Sequence, residues 1–173
     1  MRKFKGFLLG AVLVVGTASM QAQTRWGGRV SFYPDGSFTT VGLEAVVPLR
    51  PGLAINPNFE ISNTKDDTLI DFPNDDLDLH LKSRFWTGNL DLTYDLFSND
   101  RSQFWIGAGA AYSRAHVEIE GIAGSAETND SRWGGNLLAG YAFGSGRVKP
   151  YVQAKETFLS GSNTFSAGLG VRF

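Results

Sequence analysis

The sequence contains no cysteine, which excludes a disulfide framework and any thiolate metal site. It contains two histidines, His80 and His116, so imidazole chemistry has only two places to occur. Beyond the first twenty or so residues there is no apolar run long enough for a membrane helix, and the mean hydropathy is −0.13. A chain without such a run crosses a membrane only as a closed β-barrel, the other structure that satisfies every backbone polar group internally. Excess positive charge is also missing, with 16 basic against 17 acidic residues. That balance argues against a nucleic-acid partner.

What is abundant is glycine, 21 residues, and aromatic residues, 13 % of the chain. Glycine weakens strand interiors unless backbones or large side chains must approach closely. Many glycines beside many aromatics suit a tightly packed barrel.

The N-terminus reads as a cleavable secretory signal peptide, residues 1–22. Arg2, Lys3 and Lys5 form a basic region, Phe7 to Val15 an apolar one, and Gly16-Thr17-Ala18-Ser19 and Met20-Gln21-Ala22 supply small residues for cleavage after Ala22, or after Ala18. Three of the sixteen basic residues lie in this segment, so the mature chain is mildly acidic, near −4. Residues 23–173 are then a single barrel domain.

The segment Asn163 to Phe173 carries the clearest pattern. Phe165, Ala167, Leu169, Val171 and Phe173 alternate with Thr164, Ser166, Gly168, Gly170 and Arg172. Period two is the side-chain period of a strand, and the length suits a transmembrane β-strand. The same alternation predicts strands over 25–33, 39–47, 53–62, 77–96, 103–120, 132–144 and 148–159. Pro48 to Gly52, with two residues lacking an N–H, is expected to break the ladder. Pro57 calls for a local bulge in the third strand. A parity change between Leu77-Leu79-Leu81 and Trp86-Leu90-Leu92 calls for another near Ser83 to Phe85. Asn63 to Asp78 and Gly121 to Ser131 are expected to be long exposed loops, opposite short turns. The sum is an all-β fold, an eight-stranded antiparallel up-and-down transmembrane barrel.

Parity also assigns the interior. Arg29, Glu44, Glu60, Asp91, Asp95, Lys155 and Arg172 face inward, with Asn56, Asn58, Asn89, Asn136 and Gln153. An eight-stranded barrel is filled by its own side chains, and buried charges must be paired. These residues are therefore expected to interlock, the functional alternative being a narrow ion path. Trp26, Trp86, Trp133, Tyr94, Tyr112, Tyr141 and Phe173 fall toward the ends of the apolar faces, where aromatic girdles sit. A soluble lipocalin-type carrier would turn the apolar face inward, and the polar opposite faces argue against it.

Three segments, Ile106-Gly107-Ala108-Gly109-Ala110-Ala111-Tyr112, Gly140-Tyr141-Ala142-Phe143 with Lys149-Pro150-Tyr151, and Gly168-Leu169-Gly170-Val171-Arg172-Phe173, resemble the small outer-membrane β-barrel superfamily of OmpA/OmpX type. The resemblance implies a monomer in the bacterial outer membrane. Lipid and lipopolysaccharide surround it, and the barrel-assembly machinery recognises Phe173 and its alternating residues. It implies a structural or surface-interaction role, with a porin-like channel or a lipid-modifying enzyme as alternatives. Lipid-A deacylases of this size need a His and a Ser on a late strand, and the last three strands hold no His. The palmitoyltransferase type uses loop His, Asp and Ser, for which His80 or His116 qualify by place alone. Asp66, Asp67, Asp71, Asp75, Asp76 and Asp78 lack the spacing of a calcium loop. No catalytic, cofactor-binding or metal-binding residue is assigned, and no cofactor is expected.

Overall fold

A computed structural model describes residues 24–72, 75–121 and 124–173. Residues 1–22, read above as a signal peptide, lie outside them. Eight strands follow in order: β1 Arg25–Tyr33, β2 Phe38–Arg50, β3 Leu53–Phe72, β4 Asp75–Ser98, β5 Ser102–Gly121, β6 Gly124–Phe143, β7 Lys149–Leu159 and β8 Ser162–Arg172. Each pairs antiparallel with its neighbours in sequence, and β1 pairs with β8 to close a barrel. The closing ladder runs from Gly27↔Arg172 to Phe32↔Ala167. Beyond the ladder the seam is fastened at both ends. The Trp26 and Phe173 backbones exchange hydrogen bonds of 3.1 and 2.8 Å. At the other end the Asp35 carboxylate accepts the Phe165 N–H at 3.2 Å.

Four strands are far longer than the rest. The β3–β4 ladder continues without a register break to Phe72↔Asp75, and the β5–β6 ladder to Gly121↔Gly124. The loops expected at Asn63 to Asp78 and Gly121 to Ser131 are thus paired hairpin arms. An antiparallel ladder satisfies its own N–H and C=O groups, so a polar sequence extends a strand into water as readily as it forms a loop. From Asn63 to Phe72 the arm adds roughly 33 Å of strand at 3.3 Å per residue. The ladder pairs β4 to β5 as far as His80↔Glu120, so the two hairpins continue as one sheet.

Three further expectations are corrected. Pro48 does not end β2; it pairs with Ala54, and the register shifts only between Pro48 and Arg50. The turn is Pro51–Gly52, where Gly52 takes φ +76°, a conformation glycine adopts without strain. Pro57 creates no bulge. Pairs on either side of it, Glu44↔Asn58 and Val47↔Ile55, keep one offset, and Pro57 pairs in register with Leu90. The missing donor costs ladder pairs toward β2 instead of an extra residue. The Ser83 to Phe85 bulge is also absent. β4 changes register between Asp95 and Phe97, against β5.

The wall is apolar outside and polar inside. Leu43 is 72 % exposed and Leu169 67 % exposed, and Val41, Leu90, Leu92, Ile106, Leu137 and Val171 are exposed with them. Aromatic contacts run across the outside from Phe59 through Trp86 and Tyr112 to Trp133, with centroids 5.8, 5.3 and 4.6 Å apart. Phe97, Phe104, Tyr141 and Phe143 form a second aromatic group near the opposite end. The apolar core inside is small: Trp105, Leu138, Ala142 and Tyr151. Its two large rings lie edge to face at 5.8 Å. They lie flat because the facing positions are glycine. A Cβ on Gly140 would overlap the Trp105 ring, and one on Gly170 the Tyr151 ring.

Filling such contacts costs about 1–3 kcal/mol. Gly140→Ala and Gly170→Ala are therefore expected to lower unfolding free energy by about that much. Gly88→Ala, where nothing lies within 4 Å, should change little. Equilibrium urea unfolding of the refolded protein in lipid measures all three.

Candidate functional site

Alternation along the strands brings residues from all eight into one lumen, Gln103, Trp105 and Ser113 being those of β5. Arg29, Glu44, Glu60, Asp91, Lys155 and Arg172 are all buried, as are Asn56, Asn58, Asn89, Asn136 and Gln153. Asp95, also assigned inward, sits at the mouth near the short turns, part exposed, and accepts from Gln103 Nε2 at 2.8 Å.

Two carboxylates organise the network. Glu60, on β3, is fully buried. It receives Arg29 from β1, Lys155 Nζ from β7 at 2.9 Å and Thr40 Oγ1 from β2 at 2.7 Å. The Tyr33 hydroxyl donates to it at 3.3 Å. Glu44, on β2, accepts from Arg172 Nε at 2.6 Å and from Asn56 Nδ2 at 3.2 Å, with Arg29 Nη1 3.7 Å away. Arg29 thus lies between the two acids. The third acid, Asp91, has no cation within salt-bridge distance among the described residues. It accepts from Asn58 Nδ2 and Asn136 Nδ2, each at 2.9 Å. Asn89 links these amides, donating to Asn58 at 2.8 Å and accepting from Asn136 at 2.9 Å. Three acids and three bases give a core near neutrality, held by charge-assisted bonds.

Aromatic side chains close the network at both ends. Toward the hairpin arms, Tyr33 stacks on Phe38 at 4.7 Å, and Phe85 meets both edge-on. Toward the short turns, the Arg172 guanidinium lies 4.2 Å from the Trp105 ring centre and 4.5 Å from that of Tyr151. Arg172 therefore joins the ion network to the aromatic layer, and such cation–π contacts strengthen when water is excluded. Sequence parity places Tyr151 on the same strand face as Gln153 and Lys155. It gave no sign that Trp105 and Arg172 form a plug, because that depends on glycines on other strands.

The His116 side chain stays out of the lumen network. His116 lies on β5 above the Tyr112 level, its Nδ1 2.9 Å from Asn129 Oδ1. His80 stands on β4 with its backbone opposite Asp67 and Glu120. Among the described residues no group of three His, Asp or Glu side chains is arranged to hold a metal ion. Asp71 and Asp76 lie opposite each other on the β3 and β4 ladder.

A closed eight-stranded antiparallel barrel with an apolar outside, aromatic belts and a charged interior is the architecture of the small outer-membrane barrels. Solved structures agree on that fold. The N-terminal β-barrel domain of Pseudomonas aeruginosa OprF shares 14 % identity, covering 87 % of this chain and 95 % of its own, with a TM-score of 0.58. Ail, the attachment invasion locus protein of Yersinia pestis, in complex with the heparin analogue sucrose octasulfate, shares 12 % over 87 % and 96 %, at 0.59. Neisserial surface protein A shares 14 % over 86 % and 92 %, at 0.52. No protein-family model matches the sequence, and none of the curated proteins does.

Removing one partner of a buried ion pair strands the other charge, at roughly 3–5 kcal/mol. Glu44→Ala is expected to destabilise the barrel by about that amount, Arg172 losing its carboxylate. The double change Glu44→Ala with Arg172→Met should cost less than the two single costs added. A double-mutant cycle from urea unfolding reads the difference.

Proposed function

We propose that this chain is an integral protein of the bacterial outer membrane with a structural or surface-interaction role. In this reading residues 1–22 are a signal peptide, and 23–173 a monomeric barrel domain set in lipid and lipopolysaccharide. The barrel-assembly machinery takes it up through Phe173 and the alternating residues before it. The hairpin arms of β3–β4 and β5–β6 face outward, and the short turns face the periplasm. The observation that carries the non-conducting, non-enzymatic part is the lumen: Glu44 and Glu60 hold three cations between two aromatic layers. The location draws on the apolar outer face and on the fold shared with OprF and Ail.

A second reading, a narrow channel, draws on one observation. Arg29 Nε and Nη1, Asn56 Oδ1, Asn136 Oδ1, Gln153 Oε1, Trp105 Nε1 and Tyr151 OH are buried without a protein partner. Buried polar atoms ordinarily find one, so lumen water would bind there, and a continuous water file would conduct.

Planar-bilayer recording separates the readings. The purified protein is expected to give no steady single-channel current, and Glu60→Ala, which frees Arg29 and Lys155, only irregular openings. Large stable currents from the parent would put the channel first. Membrane fractionation and heat-modifiable gel migration test location, and a freely soluble periplasmic product would overturn it. Replacing Phe173 by Asp should lower the inserted yield far more than Thr164→Ala does.

A further inference from the structure

The mouth beside the hairpin arms holds a cavity of about 360 Å³, at the small end of ligand sites. Its floor is the ring cluster Tyr33, Phe38 and Phe85. Its rim is polar and drawn from strands around the barrel: Asp35 after β1, Asp130 and Arg132 on β6, Ser162 and Asn163 on β8. The rim is pre-arranged. Arg132 Nε donates to Asp130 at 2.8 Å and Nη1 to Ser162 Oγ at 3.0 Å, while Asp35 is tied to the Phe165 N–H. Asp130 and Arg132 stay about half exposed, with side-chain accessibilities of 48 % and 38 %, so each keeps hydrogen-bonding capacity toward the cavity.

We propose that this mouth binds a neutral sugar. A sugar ring has an apolar C–H face and an edge of hydroxyls that both donate and accept. The cavity offers the matching halves, aromatic floor and mixed donor–acceptor rim. A hydrocarbon ligand would leave the Asp130–Arg132 pair desolvated without return. A polyanion would meet two carboxylates against one guanidinium. The inference rests on the outer-membrane reading only for the source of the sugar, either neighbouring lipopolysaccharide or a free glycan; binding itself is read on purified protein.

The test is calorimetric titration of the folded protein in detergent micelles with lactose, maltose and sucrose octasulfate. A neutral disaccharide is expected to bind at one site, with millimolar affinity. The Asp130→Asn/Arg132→Gln double variant and Phe85→Leu should each weaken it roughly tenfold or more, the loss of about 1.4 kcal/mol. Both variants must keep heat-modifiable migration, which separates lost binding from lost fold. If bound lipopolysaccharide abolishes the disaccharide signal, its sugars are the resident ligand; an undiminished signal points to a free glycan. No saturable binding by either neutral disaccharide overturns the proposal. So do equal affinities in parent and variants, or tighter binding of the sulfated probe.

Discussion

A closed barrel leaves no sheet edge with unpaired backbone donors and acceptors, and the interior of this molecule follows from that closure. An open sheet has two edges; closure removes both. The β1–β8 ladder does this for the chain, and its ends are secured by the Trp26–Phe173 backbone pair and by Asp35. Closing eight strands fixes a narrow lumen. Residues of one parity then have no exit to solvent, and their charges have only one another. The three-acid, three-base interior is thus a condition of closure as well as a feature of the site.

The two ends of the barrel solve different problems. Near the short turns the lumen narrows onto Trp105, Tyr151 and Arg172, where glycines let large rings lie against the wall. Near the hairpin arms Tyr33, Phe38 and Phe85 cover the charges, and above them the wall rises on one side only, as β3 to β6. A rim built by four tall strands and four short ones is lopsided. The cavity there opens beside the tall sheet, sheltered by it and bounded across the mouth by the turn at Asp35 and by β8.

Side-chain parity made most of this legible from sequence. Eight strands, their order and the inward set, Asp95 apart, follow from period two alone, because a strand has no other way to bury alternate residues. Failures came where the rule is silent. Polar alternation over residues 63–72 reads as loop when strands are recognised by their apolar face, yet pairing satisfies the backbone whatever the side chains are. Pro57 was expected to force an extra residue, and the ladder instead omitted bonds. The bulge sought at Ser83 to Phe85 lies at Asp95 to Phe97, where the sequence offers no parity change as a warning. The plug was hidden because it joins residues far apart: Gly140 and Trp105 sit on β6 and β5, Gly170 and Tyr151 on β8 and β7.

The Glu44–Arg172 pair joins residues 128 positions apart, the second strand to the last. Until β8 docks, Glu44 has Asn56 and a distant Arg29 but lacks its close cation. The register of β8 therefore decides whether Glu44 has a close cation. Slipping β8 by one residue would turn Arg172 to the outer face and Val171 or Phe173 inward. A two-residue slip restores the facing but moves the guanidinium about 6.6 Å along the strand, away from both Glu44 and the Trp105 ring. Backbone hydrogen bonds alone accept any of these registers. The charge pair accepts one, so the strand that completes the wall is also checked from inside it.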